Sequence, residues 1–300
     1  MRFKPSFTIP AVAALCFYFI GGTTPAGADI GDQLFKLLAD DGTTGDQFGT
    51  TVAISGATAI VGASLHDDNG GFSGSAYLFD TTTGQQLFKL LPNDGAKNDV
   101  FGVSVGISGE IAIVGAWRHN DHGPNSGAAY IFDATTGQQL FELLPDDGAE
   151  FGGFGSSVGI SGGTAIVGAG GDDDNGSASG SAYLFGSMSG QQIFKLLPDD
   201  GTRGDAFGVS VAISDGTALA GAREDDDNGP FSGSAYLFDA AAPGMCPWDL
   251  DANGSIGASD LLSLLVSWGP CKGCDADFDG SGNVGASDLL ALLANWGPCP

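Results

Sequence analysis

Phe48-Gly-Thr-Thr-Val-Ala-Ile-Ser-Gly-Ala-Thr-Ala-Ile-Val-Gly-Ala63 is the stretch on which the fold turns. Residues 51–55 alternate, as a half-buried strand does. Residues 59–63 run apolar without a break, as a strand covered on both faces does. The pattern returns every 53 residues: Phe-Gly at 48, 101, 154 and 207, and (Val/Ala)-Gly-Ala at 61, 114, 167 and 220. Two further phrases keep the same period, Ala-Tyr-(Leu/Ile)-Phe at 76, 129, 182 and 235, and Gly-x-Gln-(Leu/Ile)-Phe at 31, 84, 137 and 190. They supply a third and a fourth strand, joined by a Thr-Thr-Gly turn near residues 82–84. A period of this size indicates a propeller or a solenoid, and four-stranded sheets repeated radially make a β-propeller.

The fourth strand carries a charge at one fixed place, Lys36, Lys89, Glu142 and Lys195. The sequence predicts an outer edge strand there, its charge discouraging sheet-to-sheet pairing. The fourth unit lacks its own Gln-x-Leu-Phe strand after Phe238, whereas an orphan copy, Gln33-Leu-Phe-Lys-Leu-Leu38, precedes the first unit. The predicted fold class is therefore an all-β propeller of four blades with four strands each. In it the N-terminal strand closes the last blade; pairing of two chains into a larger ring is the alternative.

The order Phe-Gly, Gly-Ala, then a Tyr/Phe-rich strand resembles the FG-GAP repeats of integrin α-chain propellers and of many bacterial secreted proteins. Integrin propellers of that kind bind calcium in acidic loops. Here the loops between the second and third strands are Asp67-Asp-Asn-Gly70, Asn120-Asp-His-Gly123, Asp173-Asp-Asn-Gly176 and Asp226-Asp-Asn-Gly229. They read either as solvated structural turns or as further weak Ca²⁺ sites. His66, His119 and His122 all adjoin these loops, with His119 and His122 as a metal pair to consider. Trp117 beside them reads as a sugar-stacking residue or as filler. No nucleophile–base set stands out, and carboxylates are too abundant to single out a glycosidase pair.

The C-terminal residues hold a second repeat, a loop followed by a helix, written twice 28 residues apart. A hard cation such as Ca²⁺ needs six to eight oxygens on a short, sharply turning backbone. The first loop offers Asp249, Asp251, Asn253, Ser255 (through its carbonyl) and Asp260, with Gly254 at the turn. The second offers Asp277, Asp279, Ser281, Asn283 and Asp288, with Gly282 at the turn. Helices are predicted over 258–268 and 286–296, each rich in Leu and ending in a Trp. The cofactor read from this spacing is Ca²⁺, two ions in the module.

The loop-then-helix form resembles type I dockerin modules, calcium-dependent handles that plug into cohesin domains. The resemblance covers Cys246 to Cys299. It implies partner contacts at Ala258 and Ser259 in one copy and at Ala286 and Ser287 in the other. Those pairs are identical, which permits docking in either of two orientations. The partner it implies is a cohesin-like or cell-surface protein.

Residues 1–28 read as a signal peptide, with Arg2 and Lys4 before an apolar stretch and Ala26-Gly27-Ala28 as the cleavage site. Removing those two basic residues takes the formal charge from −26 to −28. Cys246, Cys271, Cys274 and Cys299 are the four cysteines that follow the leader, an even count that implies disulfides in a secreted chain. Antiparallel packing of the two units favours Cys246–Cys299 with Cys271–Cys274; pairing within each repeat is the rival, and a four-Cys zinc site a third arrangement. The domains are then 1–28 signal peptide, 29–240 propeller, 241–245 linker and 246–300 dockerin-like domain. Strong acidity with no basic patch argues against nucleic acid as a partner, and no later stretch is apolar enough for a membrane span. The predicted function is a secreted or cell-surface, non-catalytic binding or adhesion protein, its propeller presenting a face to polysaccharide or protein. The alternative is a carbohydrate-active enzyme, a lyase or glycoside hydrolase carried on a dockerin.

Overall fold

A computed structural model describes residues 30–240, 250, 255–271, 274, 276–278 and 281–298. The signal peptide (1–28) and the linker (241–245) lie outside the described residues. The chain divides into a short unit, Met1–Lys36, and a main unit, Leu37–Pro300. Residues 30–36 of the first hold a turn and no strand.

The main unit opens with three antiparallel sheets of four strands, each in chain order. The first is β1 (Val52–Ser55), β2 (Thr58–Ala63), β3 (Ser75–Asp80) and β4 (Gln86–Leu90). The second is β5 (Ser104–Ser108), β6 (Ile111–Ala116), β7 (Ala128–Asp133) and β8 (Gln139–Leu143). The third is β9 (Phe154–Ser161), β10 (Thr164–Ala169), β11 (Ser181–Gly186) and β12 (Gln192–Leu196). A fourth sheet has three strands, β13 (Phe207–Ser214), β14 (Thr217–Ala222) and β15 (Ser234–Asp239). The repeated phrases face each other in register, with Val61 opposite Tyr77, Val114 opposite Tyr130, Val167 opposite Tyr183 and Ala220 opposite Tyr236.

Hydrophobic cores lie between consecutive sheets. Ile60, Leu78 and Leu90 of the first meet Val114, Tyr130 and Phe132 of the second. Ile113, Ile131 and Leu143 of the second meet Val167, Tyr183 and Phe185 of the third. The central strands are therefore buried on both faces, which is why their sequences read as unbroken apolar runs. Each Phe of a Phe-Gly phrase turns its ring edge-on to the Tyr and Phe of its own third strand. The centroids are 5.6 and 5.9 Å apart for Phe101 with Tyr130 and Phe132, and 5.4 and 5.7 Å for Phe154 with Tyr183 and Phe185.

The glycines of the two phrases meet across the seam between repeats. A Cβ added to Gly62 would lie 2.1 Å from the carbonyl oxygen of Gly102 in the next repeat; Gly115 against Gly155 gives 2.0 Å and Gly168 against Gly208 gives 1.8 Å. No side chain fits there, so close backbone approach demands glycine. The same carbonyls accept hydrogen bonds from Thr51, Ser104 and Ser157 Oγ at 2.7–2.8 Å. Beside them the amides of Phe101, Phe154 and Phe207 donate to Ser73, Ser126 and Ser179 of the preceding repeat, at 2.9 Å each.

Residues 33–38 carry no strand, and among the described residues the sheet of β13–β15 has three. Each earlier sheet takes its fourth strand from the start of the following repeat, and no repeat follows the fourth. Among the described residues nothing covers one face of that sheet: Leu219 is 41% exposed and Leu237 72%.

At the C-terminus, α1 (Ala258–Val266) and α2 (Ala286–Ala294) each end two residues short of the predicted Trp, Trp268 or Trp296. Four two-residue strands cross-link the units in antiparallel fashion: β16 (Ser255–Ile256) with β19 (Gly297–Pro298), and β17 (Gly269–Pro270) with β18 (Asn283–Val284). The end of each helix thus lies beside the loop of the other unit. Ile256, Leu264, Val284 and Leu292 form the core between them.

Gly115→Ala is expected to cost about 3 kcal/mol by forcing the seam apart. The equivalent Gly221 has no neighbour closer than 3.8 Å to an added Cβ. Gly221→Ala should therefore stay within about 1 kcal/mol of wild type. Thermal melts of the two variants check this, and equal losses would contradict the uncovered fourth sheet.

Candidate functional site

Each of the first three repeats gathers polar side chains from four elements at the same end of its sheet. They are the segment before the first strand, the loop between strands two and three, the Tyr of strand three, and the charged residue of strand four. In the loops, the first acidic or amide residue is structural. Asp67 Oδ1 accepts the Phe72 amide at 2.8 Å, Asn120 Oδ1 that of Asn125 at 2.9 Å, and Asp173 Oδ1 that of Ala178 at 2.7 Å. Gly70, Gly123, Gly176 and Gly229 follow with φ of 108–124°, a conformation that selects glycine. In the first three repeats the second acidic residue, Asp68, Asp121 or Asp174, reaches a basic side chain of the cluster.

In the first repeat Lys89 Nζ bridges Asp41 (2.5 Å) and Asp68, while His66 lies 3.6 Å from Asp46 and 3.1 Å from Asp68. The Tyr77 hydroxyl donates to Asp41 at 2.9 Å. In the third repeat Lys195 Nζ sits 2.7 Å from Asp147 and 3.3 Å from Asp172, and also pairs with Asp174. Burial opposes the ionised form of Asp147, but the Lys195 hydrogen bond and charge hold it below the ordinary carboxylate range. The fourth repeat has no strand-four residue. Tyr236 donates to Asp225 at 2.7 Å, and the charges of Asp225 and Asp200 raise Asp227.

The second repeat breaks the pattern. Glu142 replaces the lysine, so Asp94, Asp99, Asp121 and Glu142 surround one basic group, His119. Its Nδ1 lies 3.1 Å from Asp99 Oδ2, and its Nε2 lies 3.2 Å from Asp121, 3.8 Å from Asp94 and 3.8 Å from Glu142. Burial works against the imidazolium, but the Asp99 hydrogen bond and the charges of Asp99, Asp121 and Asp94 push His119 up to about 9. Burial, then the charges of Asp94 and Asp121, raise Glu142 to about 7, while His119 pulls it back.

Strand four is the edge strand of each of the first three sheets, as predicted, but its charge turns inward rather than guarding the edge. Lys89, Glu142 and Lys195 turn into the clusters, and 15–26% of each side chain is exposed. His66 and His119 occupy equivalent positions 53 residues apart. The signal that finds the clusters is the shared register of positions 41, 66, 68 and 89 with 94, 119, 121 and 142. His122 is absent from the group around His119; its amide donates to Ser126 Oγ at 3.1 Å. The half-buried Trp117 ring carries the Arg118 guanidinium 4.5 Å above it.

In the C-terminal module, Asp249, Asp251, Asn253, Asp279, Cys246 and Cys299 lie outside the described residues. Asp260 and Asp288 are fully buried at the third helical positions. Asp260 accepts the amides of Leu250 and Gly257, each at 2.7 Å, and Asp288 that of Gly285 at 2.8 Å. Asp277 accepts the amides of Ser281 (3.0 Å) and Gly282 (2.7 Å), and Ser281 Oγ donates to the Asn283 carbonyl at 3.1 Å. Gly282 has φ +79°, as the sharp turn of such a loop requires. The donors here are all oxygen, which suits a hard cation. Ser255 enters β16 through its backbone. A disulfide joins Cys271 to Cys274, with Cα atoms 5.9 Å apart. Ala258, Ser259, Ala286 and Ser287 are all exposed.

A tandem stack of antiparallel blades, each with an acidic cluster at one end, defines a repeat protein of the β-propeller type. Its seams are built from Phe-Gly and Gly-Ala phrases, and the chain belongs to the FG-GAP repeat family. The family profile matches residues 32–79, 85–132, 138–185 and 191–238, more than half of the chain. These bounds begin at the strand-four segment, so three strands of each sheet come from one repeat and the fourth from the next. No curated protein matches the chain. It is similar to the crystal structure of the computationally designed Ika4 protein, at 19% identity and TM-score 0.44, covering 70% of this chain and 98% of that one. The computationally designed Ika8 protein gives 16% identity and TM-score 0.39, covering 63% of this chain and 45% of that one. Among the described residues no helix is long and apolar enough to cross a membrane.

Raising a carboxyl to about 7 makes its contribution to stability fall with pH. Below about 4.5 Glu142 is protonated folded or unfolded, and no penalty exists. Between there and about 7 the unfolded chain releases the proton and the folded chain retains it, so stability is lost. Glu142→Gln should therefore gain on wild type across that window, by at most about 3 kcal/mol, and level off above it. Denaturant unfolding at stepped pH, with Ca²⁺ as the sole divalent ion, checks this.

Proposed function

We propose that this protein is a secreted or cell-surface, non-catalytic binding or adhesion protein. Its blade stack presents the ligand-binding face, to polysaccharide or protein. Its C-terminal module is a calcium-loaded, dockerin-like handle that docks to a cohesin-like or other surface protein. FG-GAP repeats are typical of extracellular proteins, and the family fold commonly serves binding.

The observation that carries the docking half is a duplicated exposed surface. Ala258 and Ser259 at the start of α1 match Ala286 and Ser287 at the start of α2, and all four face solvent. Behind them the helices leave Leu262, Leu265 and Trp268, and Leu290, Leu293 and Trp296, exposed. Apolar side chains repeated in this way on so small a module suit burial against a partner. The buried Asp260 and Asp288 close the two loops, and their occupation by Ca²⁺ would fix the starts of both helices.

Calcium titration of the full chain should give two ions, and Asp260→Ala should remove one. Chelation should abolish the helical circular dichroism signal and shift Trp268 and Trp296 fluorescence, while the β-sheet melt is kept. Absence of calcium heat in calorimetry, or joint loss of helix and sheet on chelation, would contradict this reading.

A further inference from the structure

The second repeat holds the Asp-rich cluster of its neighbours without their lysine. In the first and third repeats an ammonium group stands among the carboxylates, Lys89 between Asp41 and Asp68, and Lys195 among Asp147, Asp172 and Asp174. In the second repeat the corresponding residue is Glu142. The exchange removes a cation and adds an anion, so four carboxylates share one imidazole and the cluster lacks the ammonium that completes the other two.

What remains has the form of a metal-ligand set. Asp94, His119, Asp121 and Glu142 each contribute a donor atom, all within 4.8 Å of one another. Donors bound tetrahedrally at about 2.0–2.2 Å lie about 3.3–3.6 Å apart, and His119 Nε2 stands 3.2–3.8 Å from its three carboxylate neighbours. An independent sign comes from the histidine. His119 is 5% exposed, and its Nε2 makes no hydrogen bond although it is aimed into the cluster. Glu142 Oε1 is likewise buried without a hydrogen bond. The other face of the ring is held: Asp99 is buried, is fixed by the Ala96 amide at 2.7 Å, and faces Nδ1 at 3.1 Å. A carboxylate accepting from Nδ1–H is the usual support of a metal-bound histidine, and it leaves Nε2 to an ion that displaces the proton there.

We infer that Asp94, His119, Asp121 and Glu142 bind one divalent first-row transition ion of the zinc or manganese type. One imidazole with three carboxylates selects that class over Ca²⁺, whose ligands are oxygens. The ion takes the place that the lysine ammonium fills in the first and third repeats. This site is separate from the calcium loops of the C-terminal module and does not depend on them.

The test uses the full chain, stripped of metal and returned to saturating Ca²⁺, then titrated with Zn²⁺ by calorimetry and equilibrium dialysis. Wild type should bind one Zn²⁺ that Glu142→Lys does not, with a metal-dependent rise in melting temperature that the variant also loses. Lysine is native at this position in two other repeats, so the variant keeps the fold, and its metal-free melt verifies that. Lys89→Glu completes the same donor set with Asp41, His66 and Asp68, and should raise the stoichiometry by one ion. Equal Zn²⁺ binding by wild type and Glu142→Lys would overturn the assignment, as would a Lys89→Glu stoichiometry unchanged from wild type.

Discussion

The structure of the repeats depends on one close approach, glycine backbone against glycine backbone across each seam. Gly62, Gly115 and Gly168 leave the space that the carbonyls of Gly102, Gly155 and Gly208 fill. With that space open, a hydroxyl from the first strand caps the carbonyl and a Phe amide pairs with the preceding repeat. The Phe ring is thereby directed into its own blade, edge-on to the Tyr and Phe of the third strand. Two short motifs thus perform one task. Neither is explained by its own repeat, because each exists to receive the other from a neighbour.

The seam also positions the clusters. It fixes the loop between strands two and three against the segment before the first strand, so Asp41 meets Asp68 and Asp94 meets Asp121. Side-chain amides of Gln86, Gln139 and Gln192 hold that segment, accepting backbone N–H groups at 2.9–3.0 Å from residues 46 positions earlier. The fourth strand then decides the chemistry. A lysine makes the cluster an ion-pair network, and a glutamate makes it a cation receptor. Burial of such charges is costly unless a partner of opposite sign is supplied. That cost gives a single substitution on a repeated framework its large effect.

Most of the framework was legible in the sequence because the seams impose periodicity. Phe-Gly, Gly-Ala, Ala-Tyr and Gln-Leu-Phe keep a strict spacing, and each marks a strand or its edge. The loop-helix pair was legible for the same reason, since duplication exposes the helix starts at Ala258 and Ala286. Closure of the last blade is not legible, because strand propensity at 33–38 says nothing about which sheet accepts it. The clusters escaped because their members lie in different phrases. Lys89 and Glu142 read as surface charges until β4 and β8 bring them beside the loops. His119 read as a partner for His122, three residues on, whereas the fold sets it against Asp94 and Glu142.

The measurement that bears most directly on this account is residue-resolved amide hydrogen exchange of the full chain. The amides of Phe101, Phe154 and Phe207, which cross the seams, should exchange only through global unfolding. Along β15, the uncovered edge of the fourth sheet, amides should exchange orders of magnitude faster than in β7 and β11. Uniform protection across all four sheets, or rapid exchange at the three Phe amides, would contradict a stack held together at its glycine seams and open at its last blade.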